Sequence, residues 1–182
     1  MKVATEFPPP QSSVGGDYNH NMLLDLPLIL ETRRNHALEH ATLHMLGRTQ
    51  KAPMAGHSNP TGFFILADVS TDLLRASVDE ALTRLRDGES ELAIHAGCGT
   101  NLATTALLAG TFAWYVLRGA KSNLGRILRL PFAVAFALAG YGLSRPLGPA
   151  LQQRITTEAN MGDLHVVEVR FIRKGVHRII TA

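Results

Sequence analysis

Two histidines and a glutamate stand close together in one segment of the chain. Residues 35–40 read Asn-His-Ala-Leu-Glu-His, so His36 and His40 are four positions apart and Glu39 directly precedes the second histidine. In an α-helix this spacing stacks the two imidazoles on one face, near enough to bind the same metal ion. Relative to His40, Glu39 is turned about 100° around the helix axis, so that its side chain flanks the pair of histidines. The order is the inverse of the His-Glu-x-x-His zinc motif, and it predicts a metal site with a carboxylate base beside it.

The same residues also fit a simpler interpretation. A helix over residues 27–47 would carry the histidines on an inward face, where they could be hydrogen-bonded core residues. His44 adds a third histidine to that face, and this favours a metal because every buried polar group needs a partner. His36 and His44 are about 12 Å apart along the axis and cannot share an ion. The predicted pair is therefore His36 with His40 or, as the weaker alternative, His40 with His44.

A second cluster contains the one cysteine of the chain. Residues 95–101 read His-Ala-Gly-Cys-Gly-Thr-Asn. A thiolate at a helix N-terminus is stabilised by the helix dipole, and flanking glycines leave it accessible. Cys98 could be a zinc ligand, a nucleophile, or simply a small buried residue in a turn. Joined to His36 and His40, either Cys98 or His95 would complete three protein ligands and leave a fourth position open, as in catalytic zinc sites.

Two long stretches of the chain carry no charged residue. Residues 92–117 lack Asp, Glu, Lys and Arg, and so do residues 130–144. The first stretch is long enough to cross a bilayer, which takes about 20 residues, and the second is long enough if a flanking arginine reaches the surface. We predict a two-helix transmembrane hairpin over residues 99–153, with a buried helical hairpin of a globular protein as the alternative.

The charges around this hairpin bear on its orientation. The connecting segment carries Arg118, Lys121, Arg126 and Arg129 without an acidic residue, which by the positive-inside rule favours a cytoplasmic loop. The first residues lack the apolar core of a signal peptide, which argues against export of the preceding domain. A single cysteine is also typical of a reducing compartment. We expect a multi-pass protein of the cell membrane with its globular part in the cytoplasm.

The remaining segments predict a small α+β domain. Residues 1–21, rich in Pro, Ser, Gly and Asn, are expected to be a disordered tail, and residues 22–98 and 154–182 to form the domain. Its expected elements are a long histidine-bearing helix, a β-α-β unit and two final strands, which together give a small mixed sheet. In residue numbers these are a helix over 22–46, a loop over 51–61, a strand over 62–69, a helix over 71–86, and strands over 91–95, 164–172 and 176–181.

Other polar residues are weaker candidates for a site. His57 lies in a predicted loop that could cover the metal, and Asp68 ends a predicted strand, where a carboxylate is more often a capping residue than a ligand. The net charge of +3 is too small to indicate nucleic-acid binding, and no motif combines basic with aromatic residues. We expect no nucleic-acid partner.

Two resemblances follow from these motifs. The sequence HALEHATLHMLGRT, which starts at His36, resembles the active-site helix of the insulysin and pitrilysin class of metallopeptidases. That likeness implies zinc ligands at His36 and His40 and a general base at Glu39. Over residues 30–172, with NHALEHAT, GFFILADVST, CGTN and the paired hydrophobic helices, the chain resembles an uncharacterised family of small bacterial membrane proteins.

Together these features predict a membrane-anchored zinc-dependent hydrolase. Zinc is the expected cofactor, the lipid bilayer an expected partner, and a peptide or membrane protein the expected substrate. One alternative is a non-enzymatic membrane protein that binds a metal or a metal-containing pigment for assembly or sensing. Another is a structural partner subunit. Glu39 separates the first two functions, because hydrolysis needs a base and simple binding does not.

Overall fold

The computed structural model describes residues 23–182, which form a mixed α+β structure with a four-stranded antiparallel sheet and four α-helices. The tail predicted for residues 1–21 lies outside the described residues. In chain order the elements are α1 (Pro27–Leu46), β1 (Ala55–Asn59), β2 (Gly62–Leu66), α2 (Thr71–Arg86), α3 (Gly99–Leu117), α4 (Asn123–Leu151), β3 (Val166–Arg173) and β4 (Val176–Thr181). A 3-10 turn covers Ser90–Ala93, and a π-helical turn, Gln152–Thr156, extends α4.

One face of the sheet packs on α1 and α2. The strand order is β1-β2-β4-β3, and Phe63 of β2 pairs with Ile179 of β4 at the centre of the buried face. Side chains alternate along each strand, so this face buries apolar residues against Leu38 of α1 and Leu74 of α2. Burial of these side chains holds α1 against the sheet and fixes the direction of its histidine face.

The boundaries of several elements agree with the sequence. Pro27 occupies the first turn of α1, where its missing N–H leaves no hydrogen bond unmade. Ser70 caps α2 by accepting a hydrogen bond from the N–H of Leu73 at 3.2 Å. Gly175, with φ of +74°, makes the turn between β3 and β4.

The predicted β-α-β unit and mixed sheet are wrong. Ala55–Asn59, expected to be a loop, is strand β1 and forms an antiparallel hairpin with β2. Its sequence, Ala-Gly-His-Ser-Asn, has neither the residue types nor the alternation that indicate a strand, and pairing with β2 decides its conformation. The strand expected at residues 91–95 is replaced by the turn Ser90–Ala93, and the carbonyl groups of Ala93 and Ile94 bind histidine side chains instead of a neighbouring strand.

Helices α3 and α4 pack mainly against each other as an antiparallel hairpin. Gly140 of α4 lies on the backbone of Leu108 and Ala109, and Thr105 Oγ1 lies 2.8 Å from Ser144 Oγ. Close approach at a small residue and a hydrogen bond between the helices are typical of helix pairs in membranes.

The predicted pair of transmembrane helices is corrected to one candidate. Among residues 23–182, only the continuous helix Asn123–Thr156 is long and apolar enough to cross a membrane, and 17% of its most apolar stretch is buried. Helix α3 falls short because Thr100, Asn101 and other polar residues of its first two turns reduce its hydropathy.

The packing at Gly140 generates a test of the hairpin. A Cβ at Gly140 would lie 2.8 Å from the carbonyl oxygen of Leu108, whereas a Cβ at Gly142 would meet nothing within 4 Å. We expect Gly140→Leu to lower the free energy of unfolding by about 1–3 kcal/mol, because the extra atoms push the helices apart. Gly142→Leu is the matched control and should leave the thermal midpoint of the detergent-purified protein unchanged. Equal midpoints for the two variants would contradict the observed packing.

Candidate metal centre

The structure brings His36, His40 and Cys98 together from two distant parts of the chain. Both histidines lie on α1, and Cys98 is the N-cap residue of α3. One donor atom from each of the three side chains lies within 4.8 Å of the other two. Sγ of Cys98 is 3.5 Å from Nε2 of His36, and the two imidazole centroids are 4.3 Å apart.

The distance between Cys98 and His36 fits a tetrahedral zinc ion. Zinc binds imidazole nitrogen at about 2.0–2.1 Å and thiolate sulfur at about 2.3 Å, so the two donors stand about 3.6 Å apart across a tetrahedral angle. The observed separation of 3.5 Å between Cys98 Sγ and His36 Nε2 is close to that value. Two imidazoles and a thiolate are also ligands that zinc prefers.

Both histidines are oriented by backbone carbonyl groups. Nδ1 of His36 lies 2.8 Å from the carbonyl oxygen of Thr156, and Nδ1 of His40 lies 2.7 Å from that of Ala93. A carbonyl oxygen only accepts hydrogen bonds, so each Nδ1 carries a hydrogen and donates it. Nε2 of each ring is left as the atom that can face a metal, as is usual for metal-binding histidines.

The other histidines have different roles. His95 lies beside the group but does not belong to the set of three donors, and its Nδ1 accepts a hydrogen bond from the N–H of Gly97 at 3.2 Å. Burial and the neighbouring His40 and His44 lower the pKa of His95 to about 4, so it is neutral at physiological pH. His44 bonds to the carbonyl oxygen of Ile94 at 2.9 Å. His57 is exposed on β1 at the edge of the cleft that the cluster faces.

Asp68 lies apart from the cluster. Its side chain is 72% exposed and 3.8 Å from Nζ of Lys174, which is itself 86% exposed. A pair so exposed has little effect on stability. Asp68 does not line the cleft that contains the histidines.

Glu39 is a buried residue that lines the cleft beside the histidines. It is 5% exposed, and its Oε2 accepts a hydrogen bond from Ser58 Oγ at 2.5 Å. Gly56 leaves the space that this carboxyl group fills, because a Cβ there would collide with the Glu39 side chain. Burial raises the pKa of Glu39 above its usual range, against the smaller opposing effects of Ser58 and the two histidines. A raised pKa suits a carboxylate that must take up a proton.

Cys98 and His36 stabilise each other's charged forms. Burial alone would raise the pKa of the Cys98 thiol, but hydrogen bonds with His36, His40 and Thr100 lower it to about 5. Burial would lower the pKa of His36, yet its bonds to Cys98 and Thr156 raise it. In the metal-free protein His36 therefore holds its proton more readily, and Cys98 releases its proton more readily, than the free side chains do, and a metal ion would displace the proton between them.

A cleft of about 290 Å³ exposes this cluster. Its walls come from α1, from β1, and from the turn before α3, and they include His36, Glu39, His40, Gly56, Ser58 and Cys98. Cys98 is 7% exposed and lines the cleft between Gly97 and Gly99, which are both exposed. The site therefore has room for a small molecule or a peptide group beside the three donor atoms.

Sequence reasoning did not identify every group that shapes the site. The sequence predicts a loop at Gly56 and Ser58, and it does not indicate the carbonyl groups of Ala93 and Thr156. A carbonyl group belongs to every residue, so the sequence carries no signal for the ones that orient a histidine. For this segment the sequence offers one indication of a role in the site, which is His57 between Gly56 and Ser58.

Comparison with known proteins gives a family and one relative. The family described as Domain of unknown function (DUF6391) matches residues 31–169, which include the three donor residues and Glu39. An uncharacterized protein of Picosynechococcus sp. is 39% identical over 144 residues, covering 71% of this chain and 67% of that protein. No solved structure matches the chain.

The paired charges at Cys98 generate a prediction of its reactivity. Below pH 5 the thiol is protonated and unreactive, and above that pH it is a thiolate, so the iodoacetamide reaction of the metal-free protein should have its midpoint near pH 5. The His36→Ala variant should move this midpoint upward, because the thiolate loses a hydrogen-bond donor. His165→Ala, which removes an exposed histidine elsewhere, is the control. A midpoint near the free-thiol value of about 8.5 in the unmodified protein would contradict this electrostatic account.

Proposed function

The chain belongs to the DUF6391 family, and we propose that it is a membrane-anchored zinc hydrolase that cleaves peptides at the membrane surface. The observation that carries the proposal is the convergence of His36, His40 and Cys98 on one point, with the Glu39 carboxyl group beside them in an open cleft. Three protein ligands with a fourth position facing a cleft are typical of catalytic rather than structural zinc sites.

Each residue of the site would have a separate role in hydrolysis. A zinc ion held by the three donors would supply a Lewis acid that lets water ionise near neutral pH. Glu39 would accept the proton of the attacking water, whose oxygen bonds to the carbonyl carbon of the peptide. As the C–N bond breaks, Glu39 would pass that proton to the departing amine, so that a carboxylic acid and an amine leave. Ser58 would hold the carboxyl group in position between these two transfers.

Metal binding without turnover is the second candidate. It is favoured by the 2.5 Å hydrogen bond from Ser58 to Glu39, which occupies one carboxylate oxygen and reduces its basicity. In this case the cluster would bind a metal or a metal-containing pigment, and Glu39 would serve only to orient its neighbours. Replacement of Glu39 separates the two functions.

Metal analysis tests the site. We expect about one zinc per chain in detergent-purified protein, and almost none in the His36→Ala/His40→Ala double variant, because one remaining ligand cannot hold the ion. His165→Ala is the control and should keep its zinc. Full metal content in the double variant would contradict the proposed ligands.

The Glu39→Gln variant then tests the reaction. It should keep its zinc and lose at least about 100-fold in the rate of peptide hydrolysis, because the amide cannot take up a proton. The assay uses a fluorogenic peptide with one central leucine. Equal turnover by Glu39→Gln and the unmodified protein would exclude Glu39 as the base. An absence of turnover in the zinc-loaded unmodified protein would favour metal binding alone.

The membrane part of the proposal rests on uncovered apolar side chains. Many large apolar side chains on α3 and α4 are more than half exposed, and clustered exposed apolar residues mark a surface that contacts a membrane or another protein. They include Leu102, Leu107, Trp114, Leu124, Leu128, Phe132, Val134 and Leu138. At the loop end, the Arg118 guanidinium lies 5.3 Å from the Trp114 ring and 5.1 Å from the Tyr115 ring, a pairing that suits the interface between lipid and water. The cytoplasmic location of the globular part stays a prediction.

Deletion of the hairpin tests membrane anchoring. Thr105 and Ser144 lie side by side, so a short Gly/Ser linker can replace residues 106–143 without moving Cys98 or Thr156. The full chain should stay with membranes after alkaline carbonate washing, and the deletion variant should be soluble and still bind zinc. A control variant carries the same linker inserted after Gly119, in the loop, and should stay in the membrane. Recovery of the full chain in the soluble fraction without detergent would contradict membrane anchoring.

A further inference from the structure

We propose that the substrate binds as an extended peptide that adds to the free edge of β1, with a large apolar side chain in the groove beside His36. This inference rests on the proposed hydrolase function and names its substrate class. Two features of the structure, the edge of β1 and an apolar groove continuous with the cleft, support it independently.

The free edge of β1 offers unpaired backbone groups. Within residues 23–182, β1 is the outer strand of the sheet and pairs only with β2. Asn59 pairs with Gly62 across the two-residue turn, so Asn59, His57 and Ala55 direct their backbone hydrogen bonds toward β2. By the alternation of an antiparallel ladder, the N–H and C=O groups of Gly56 and Ser58 point away from the sheet. A peptide strand can bind these groups by extending the sheet.

This edge borders the cleft that contains the donor atoms. Four consecutive residues, 55–58, line the cleft, and consecutive residues of a strand point to opposite faces. All four residues can therefore line the same cleft only if the cleft runs along the edge of the strand. Gly56 and Ser58 share the face that covers Glu39, since one packs on its side chain and the other bonds to it. A peptide paired with them would bring its backbone past Glu39 and the donor atoms.

The opposite edge of the sheet, which is formed by β3, is protected against pairing with another chain, whereas the edge of β1 is not. β3 has register irregularities between Val166 and Glu168 and between Phe171 and Arg173, and it carries an ion pair of Glu168 with Arg170 at 2.6 Å. Bulges and charges of this kind prevent an outer strand from pairing with other chains. β1, with the sequence Ala-Gly-His-Ser-Asn, has no Lys, Arg, Asp or Glu and is regular along its whole length. The edge beside the cleft is thus the one that can accept a strand.

An apolar groove continues from the cleft. It has a volume of about 530 Å³, and it shares Thr32, His36 and Thr100 with the cleft. Leu28, which is 71% exposed, and Ile29 supply its apolar wall. A large apolar side chain placed there would lose contact with water at a point beside His36, one of the proposed zinc ligands.

The backbone pairing is tested by methylation of the peptide. The probe is a blocked eight-residue peptide of alternating alanine and threonine with one central leucine and a fluorophore, and its affinity for zinc-loaded Glu39→Gln protein is measured by fluorescence anisotropy. N-methylation of one amide at a time should weaken binding at least about fivefold at alternate residues, whose N–H groups would bind β1, and little at the others. No binding, or an effect without alternation, would overturn the proposed pairing.

The groove is tested by variants on both molecules. Leu28→Ser should weaken binding of the leucine peptide about fivefold or more and should not affect a peptide with alanine in its place. Val167→Ser, which alters a similarly exposed residue on β3, is the matched control. Equal affinities of the two peptides for the Glu39→Gln protein with its natural Leu28 would overturn the groove assignment.

The two proposals fail in different ways. Anisotropy measured after chelation of the metal reports strand pairing alone, because that pairing needs no zinc. An alternating methylation pattern without any hydrolysis by the zinc-loaded natural sequence would support the edge and overturn the hydrolase. Hydrolysis of the probe without an alternating pattern would support the hydrolase and overturn the edge.

Discussion

The contact of Cys98 with His36 joins the start of α3 to the histidine face of α1. Sγ and Nε2 are 3.5 Å apart, although the residues are 62 positions apart in the chain. Cys98 begins α3, and Thr156, whose carbonyl oxygen orients His36, ends the extension of α4. Both ends of the helical hairpin therefore meet the histidine face of α1. Any movement of the hairpin relative to the domain would change the separation of the three donors.

A buried polar network reinforces this junction. Gln152 is fully buried, accepts a hydrogen bond from the N–H of His95 at 2.9 Å and donates one to Asn101 at 2.7 Å. Asn101 in turn donates to the carbonyl oxygen of His95 at 3.2 Å, and it packs on Gly148 of α4. Each of these groups has its partner, so the network holds the turn before α3 in one arrangement.

Local patterns in the sequence predicted some of this arrangement and missed the rest. The four-residue spacing of His36 and His40 and the glycines around Cys98 indicate the three side chains that the structure brings together, because both signals depend on local geometry. Strand β1 was missed because its conformation depends on pairing with β2 and on the fit of Gly56 against Glu39, which are contacts distant in sequence. The strand expected at residues 91–95 failed for a similar reason, since the carbonyl groups of Ala93 and Ile94 bind His40 and His44. The hairpin was indicated by its uncharged stretches, whereas the polar start of α3 was underestimated.

The proposed site places one zinc ion between α1 and the start of α3, and X-ray absorption at the zinc edge reports the atoms that surround this ion. We expect four-coordinate zinc with one sulfur at about 2.3 Å and two imidazole nitrogens at about 2.0–2.1 Å, with the fourth position taken by an oxygen or nitrogen atom. The sulfur signal should vanish in Cys98→Ser, which keeps a smaller polar group at the same N-cap. Zinc surrounded only by oxygen and nitrogen in the unmodified protein, or by more than one sulfur, would contradict the account.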